Sequence, residues 1–160
     1  EEVVARRGGL DAVVHLVGGF AAGMEVGQQR DELVERMLEI NYRSASRLFS
    51  AALPFLAQSR CGLLAAIGSP SVEVPPAGQA AYAAAKAALA SLVRSIQVEY
   101  SASGVRARLV IPNTLDTAAN REAMPQVDRA SWTRPETIAE VLVRLAAGEA
   151  NPEGDNLRLC

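Results

Sequence analysis

Apolar positions along this chain come in short continuous runs separated by longer helical stripes. Asp11-Ala-Val-Val-His-Leu-Val17 is mostly apolar and closed by Gly18-Gly19, which predicts a buried parallel strand. Leu63 to Ile67 and Arg106 to Ile111 read as second and third strands, the latter stopped by Pro112. Asn156 to Leu159 predicts a short last strand. Residues 31 to 59 carry Leu33, Met37 and Ile40, then Ala45, Leu48 and Ala52, at helical spacing, with a kink or split expected at Pro54. Residues 79 to 102 form the clearest helix, with Ala81, Ala85, Ala88, Leu92 and Ile96 on one stripe and Gly104 as its stop. Pro135 opens a further helix reaching about Ala147, and Glu1 to Arg7 ends an earlier one at Gly8-Gly9. Gly68 to Gly78, with three prolines, reads as a loop, and Asn113 to Thr133 as a polar connection. Strands alternating with helices predict an α/β fold built on a parallel sheet.

Composition narrows the class. The 160 residues are 49% hydrophobic and 21% charged, which fits one soluble globular domain. A net charge of −2 with no basic cluster argues against nucleic acid as partner. The uncharged run Ala12 to Met24 is shorter than the roughly 20 residues a membrane helix needs, so no membrane partner is expected. Two cysteines, Cys61 and Cys160, give neither a disulfide framework nor zinc spacing, and a reducing cytoplasm is the default compartment. The alanine-rich helix 79 to 102 suits close packing, either on the sheet or against another subunit.

The chemistry concentrates in Tyr82-Ala-Ala-Ala-Lys86, with Ser69 thirteen residues upstream. Four residues apart on a helix, the phenol and the amine share one face. A neighbouring ammonium stabilises phenolate and lowers the phenol pKa from about 10. The pair then suits proton exchange with a carbonyl or alcohol oxygen, coupled to hydride transfer from a nicotinamide. Ser69 follows a buried strand, where α/β sheets place ligands. Asn41 lies inside a predicted helix, where asparagine is a poor helix former. The plainer alternatives, which the constellation as a whole disfavours, are a loop or turn serine at Ser69 and a solvated helix position at Asn41. His15, the single histidine, sits on a buried strand and reads as a hydrogen-bonded core residue with no metal partners.

At these residues the sequence resembles the short-chain dehydrogenase/reductase family, from Asp11 to about Leu159. Asn41, Ser69, Tyr82 and Lys86 match the order and spacing of that family's Asn-Ser-Tyr-Lys tetrad. The resemblance implies a partial Rossmann-like, doubly wound parallel sheet comprising strands four to seven of the family fold. It implies NAD or NADP as cofactor and a small-molecule carbonyl or alcohol as substrate. Tyr82 would be the general acid/base, Lys86 would lower its pKa and hold the nicotinamide ribose, and Ser69 would bond the reacting oxygen. Asn41 would hold a water linking Lys86 to solvent.

Pro112-Asn-Thr-Leu-Asp-Thr117 corresponds to the family's Pro-Gly segment, so Pro112, Asn113, Thr114, Leu115 and Thr117 would border the nicotinamide. Asn113 replaces the usual glycine, and asparagine tolerates the positive φ such a turn uses. His15-Leu-Val-Gly18 stands where many members have Asn-Asn-Ala-Gly, and Val17, Gly18 and Gly19 would bring backbone to the cofactor. Pairing as a homodimer or homotetramer through helices 31–59 and 79–102 is also implied.

The stretch from Ile111 to Pro125, with Ser131-Trp132 and Gly18-Gly19-Phe20, further resembles dihydropteridine reductases within that family. Those enzymes typically lack the serine and asparagine present here, so their substrate is not carried over. Met124 and Trp132 would either line a pocket lid or simply pack. The Gly-x-x-x-Gly-x-Gly turn of the family is absent, as are its first three strands. The chain therefore reads as the carboxy-terminal portion of a longer enzyme or as a truncated product. In the second case it would be a non-catalytic remnant or dimerisation module.

Overall fold

Four short runs rich in branched and small apolar residues make the sheet. A computed structural model describes residues 2–149 and 156–159, and Glu1 and Cys160 lie outside them. Strands β1 (Ala12–His15), β2 (Leu63–Ile67), β3 (Arg106–Pro112) and β4 (Asn156–Leu159) lie side by side in chain order. Every pairing is parallel, with Ala12 opposite Leu63, Leu63 opposite Arg106, and Leu109 opposite Asn156. The helices are α1 (Glu2–Arg7), α2 (Asp31–Leu38), α3 (Ser44–Leu56), α4 (Ala80–Tyr100), α5 (Ala118–Ala123) and α6 (Pro135–Ala146).

Helices cover both faces of the sheet, which is why β2 is an unbroken apolar run. Alternate side chains divide between two cores. Leu64, Ala66, Leu109 and Ile111 face Phe49, Leu53 and Leu56 of α3 and Leu89 and Val93 of α4. Leu63 and Val110 face Ile138 and Leu145 of α6 on the other side. This is the doubly wound arrangement expected from the sequence. Among the described residues β1 pairs only with β2, so its other edge is open.

Four expectations shift. The first strand stops at His15, and Leu16 and Val17 leave the sheet 66% and 56% exposed. The chain bends there so that Gly19 can reach the side chain of Asn41. Second, Pro54 does not split the helix, which continues to Leu56. Its ring lies on the exposed side, where water can serve the carbonyl left without a donor. The irregularity lies instead at Glu39–Arg43, a π-helical turn joining α2 to α3. Third, the buried stripe of α4 runs through Leu89 and Val93, with Ala88 and Leu92 half-buried at its flank. The helix packs on two neighbours at once: Ala81 and Ala85 meet Met37 of α2, whereas Leu89, Val93 and Ile96 meet the sheet. Gly104, at φ 79°, then ends that segment in the left-handed region glycine favours. Fourth, the polar connection 113–133 contains α5, capped by Thr117 Oγ1 accepting from the Asn120 amide at 3.2 Å.

Candidate active site

Parallel strands deliver their carboxyl ends to one edge of the sheet, and the predicted residues gather there. Gly18 follows β1, Ser69 follows β2 and Pro112 ends β3. Gly68 lets β2 finish tightly against β3, because a Cβ there would stand 2.9 Å from Leu109 Cγ. Ser69 then caps a short helical turn at Pro70–Val72, its Oγ accepting from the Ser71 amide at 3.2 Å. Ser71 Oγ in turn donates to Gln79 Oε1 at 3.0 Å, tying this loop to the start of α4. Tyr82 occupies the first turn of α4 and Lys86 the next.

Tyr82 is half-buried, and Phe20 meets its ring edge-on at a centroid distance of 5.0 Å. Lys86 is buried, with Nζ 5.9 Å from the Tyr82 ring centre. That ammonium donates to the carbonyl of Ile67, the last residue of β2, at 2.9 Å. Asn41 lies in the π-helical turn and is fully buried, which excludes the solvated position left open by the sequence. Its Nδ2 donates to the carbonyls of Gly19 at 3.0 Å and Met37 at 3.1 Å, and its Oδ1 accepts from the Gly19 amide at 3.2 Å. A Cβ on Gly18 would stand 3.0 Å from Asn41 Oδ1 and 3.5 Å from Lys86 Nζ. Only bare backbone fits between these two side chains.

His15 is buried as expected, with Nε2 3.0 Å from Ser44 Oγ. Its Nδ1 has no partner among the described residues. Asn113 departs from expectation. No non-glycine described residue has positive φ, so Asn113 does not reproduce a glycine turn. Its side chain instead donates to the Ser131 carbonyl at 3.2 Å, and its amide to Thr133 Oγ1 at 3.1 Å. Thr114 and Leu115 follow in the same tie, the Thr114 carbonyl accepting from Thr133 at 2.8 Å. Trp132 is half-buried under the Arg129 guanidinium, 5.7 Å from its ring centre. A cavity of about 330 Å³ lined by Gly9, Asp11, Phe55 and Ser59 lies at the opposite, amino-terminal end of β1 and contains none of these groups.

The electrostatics correct one expectation. Burial holds the Tyr82 phenol above its usual value, and a hydrogen bond with Ser69 pulls it partly back. The nearby Lys86 ammonium does not reverse this direction, and desolvation brings its own pKa down to about 8. A testable sign follows. An ordinary lysine in the unfolded chain keeps its proton to about pH 10.5, whereas the folded chain releases it near 8. Between those values the unfolded state binds more protons, so stability rises with pH. Wild type is therefore expected to gain stability relative to Lys86→Met as pH climbs through that window, measured by urea unfolding at each pH. A flat or falling difference would show that the amine is not buried as a charge.

The sequence did not reveal Phe20, Ser44, the Ile67 carbonyl or the π-helical turn as parts of this site. Phe20 had a signal, one of only three phenylalanines in the chain placed directly after two glycines. The others depend on backbone geometry that no residue pattern announces. Among the described residues, no group of three or more His, Cys, Asp or Glu converges as a metal site. No described helix is long and apolar enough to cross a membrane.

A family model described as short chain dehydrogenase matches residues 1–128. The chain is 27% identical to 4-formylbenzenesulfonate dehydrogenase of Comamonas testosteroni, over 94% of this chain and 65% of that protein. It is 31% identical to 2,3-dihydro-2,3-dihydroxybenzoate dehydrogenase of Escherichia coli (strain K12), over 76% of this chain and 48% of that one. The chain thus spans about half to two thirds of the length of these curated relatives. A solved short chain dehydrogenase/reductase family protein superposes with a TM-score of 0.84 at 24% identity, covering 99% of this chain and 68% of that structure.

Proposed function

Because the chain belongs to the short-chain dehydrogenase family, we propose that it forms the catalytic portion of an NAD(P)-dependent oxidoreductase interconverting an alcohol and a carbonyl. The observation carrying this reading is that Tyr82 lies between Ser69 and Lys86, while Lys86 and Asn41 both border Gly18 and Asn41 bonds Gly19. The cofactor, when bound, supplies or accepts a hydride. Lys86 fits its ribose: among the described residues one of its three N–H donors is committed, to Ile67, which leaves two for hydroxyls. Gly18 and Gly19 follow β1, and the segment from Pro112 to Thr117 borders the same end of the sheet.

Within the site, Tyr82 acts on the substrate oxygen. Its raised pKa keeps the phenol protonated at neutral pH, which is the form that carbonyl reduction requires of an acid. Ser69 turns its hydroxyl from the phenol to the substrate oxygen, donating to it beside Tyr82 and so aligning that oxygen for the transfer. Lys86 stabilises the phenolate left after transfer, and Asn41 orders the route by which the proton is replaced. Alcohol oxidation runs the same transfers backward. The surroundings would be cytoplasmic, and two copies would pair through α3 and α4, where Leu48 and Val98 stand 40% and 79% exposed.

The test is cofactor-dependent turnover of the intact protein on a panel of ketones and secondary alcohols, followed by nicotinamide absorbance. No turnover with either cofactor in either direction would reject the reading. Residues 1–160 hold no Gly-x-x-x-Gly-x-Gly turn, so this segment offers the pyrophosphate no glycine-rich helix N-terminus. The 160-residue chain by itself is therefore expected to bind NADH and NADPH weaker than micromolar in calorimetric titration. Micromolar binding to either would contradict the dependence on that turn.

A further inference from the structure

The buried histidine has a hydrogen-bond task that the catalytic reading does not use. Ser44 Oγ lies 2.7 Å from the Ile40 carbonyl and 3.0 Å from His15 Nε2. A hydroxyl has one proton, and a carbonyl can only accept, so that proton goes to Ile40. His15 Nε2 must then be the donor to Ser44. This fixes the neutral tautomer, with Nδ1 bare and facing no donor among the described residues. Burial and the nearby Lys86 charge both disfavour the doubly protonated ring. Phe49 flanks the imidazole edge-on at 5.8 Å.

The acceptor at the end of this chain is also unusual. In a regular helix the Ile40 carbonyl would receive the Ser44 amide. Here that amide reaches back to Glu39, one residue further, because the turn is π-helical. The released carbonyl is taken instead by the hydroxyl of Ser44. Such single π-helical turns cost stability and persist where something holds them. Asn41 is the next residue, and its side chain grips both the amide and the carbonyl of Gly19. An apolar residue at position 15 would fill the same buried place without stranding a ring nitrogen.

We propose that His15 and Ser44 are positioning residues: a buried brace from the end of β1, through Ser44, to the Ile40 carbonyl sets the π-helical turn so that Asn41 holds the Gly18–Gly19 backbone against Lys86. The importance of that backbone for turnover rests on the oxidoreductase reading, but the brace itself does not. Its readout is the hydrogen exchange of the Gly19 amide in the 160-residue chain, followed by NMR. His15→Leu and Ser44→Ala are each expected to speed Gly19 exchange about fivefold to tenfold, the worth of roughly one hydrogen bond. The amides of Leu64 and Val110 in the sheet should keep their protection. His15→Gln, whose terminal amide can donate at the reach of Nε2, should restore slow exchange.

Unchanged Gly19 exchange in either disrupting variant would overturn the brace. So would equal acceleration at Gly19 and across the sheet, or failure of His15→Gln to differ from His15→Leu. If His15→Leu does not fold, Ser44→Ala, a smaller change, carries the decision. A parallel arm in the intact protein reads KM for the nicotinamide against kcat. A KM raised in His15→Leu with kcat nearly kept extends the brace to function. Absence of any turnover in wild type rejects the oxidoreductase reading while the exchange result still decides the brace.

Discussion

Tyr82→Phe in the intact protein is expected to lower turnover by about 10²- to 10⁴-fold, the usual contribution of a positioned general acid. The change removes one oxygen. The ring keeps its edge contact with Phe20 at 5.0 Å, and Lys86 keeps its bond to Ile67 at 2.9 Å. Neither the Gly18–Gly19 backbone nor the lysine should therefore move, and nicotinamide affinity should stay within about twofold, well under one hydrogen bond in free energy. Stability should change little, because among the described residues the hydroxyl's partner is the Ser69 side chain at the edge of the site. Initial rates and fluorescence titration of the cofactor separate the two quantities. A variant that retained a tenth or more of wild-type turnover would take the acid/base role away from Tyr82.

Asn41→Ala is expected to destabilise the chain by about 2–3 kcal/mol, the sum of stranded partners less the better helix propensity of alanine. The side chain is fully buried and bonds both backbone groups of Gly19 and the carbonyl of Met37, with a longer bond to Met37 Sδ. Removing it leaves the amide and carbonyl of Gly19 without those partners and opens a gap beside Gly18. The loss should be larger than for a typical helix asparagine, which faces water and is replaced by alanine at little cost. Denaturant unfolding with an unchanged m-value would read it directly. A midpoint equal to wild type would mean that the Gly18–Gly19 turn holds itself. In the intact protein the same variant should weaken nicotinamide binding, since the turn it anchors faces Lys86.

Much of this molecule was legible because strands buried on both faces leave a plain trace. Leu63 to Ile67 is an unbroken apolar run and Leu109 to Pro112 is the apolar end of the next strand, and the structure places both strands in the sheet centre. Pro135 marked the start of α6 because a missing N–H costs nothing in a first helical turn. The Tyr82–Lys86 spacing also carried over, since residues four apart on a helix are neighbours whatever the rest of the fold does. Leu16 and Val17 misled, because apolar character extends a strand on paper, whereas here the chain leaves β2 after His15 and turns toward Asn41. Pro54 misled for the opposite reason: the cost of its lost hydrogen bond depends on which side of the helix it lies.

What the order of residues determined alone was local: which segments are helix or strand, and that a phenol, an amine and a serine lie at spacings suited to one reaction. Tertiary structure decided how those groups behave. Burial of Tyr82 and Lys86, not their proximity, sets the direction of both pKa shifts. The grip of Asn41 on Gly19 and the link from His15 to Ser44 join residues 22 and 29 positions apart. Desolvation and long-range hydrogen bonds depend on what the whole fold brings together, and no periodicity within a segment encodes them.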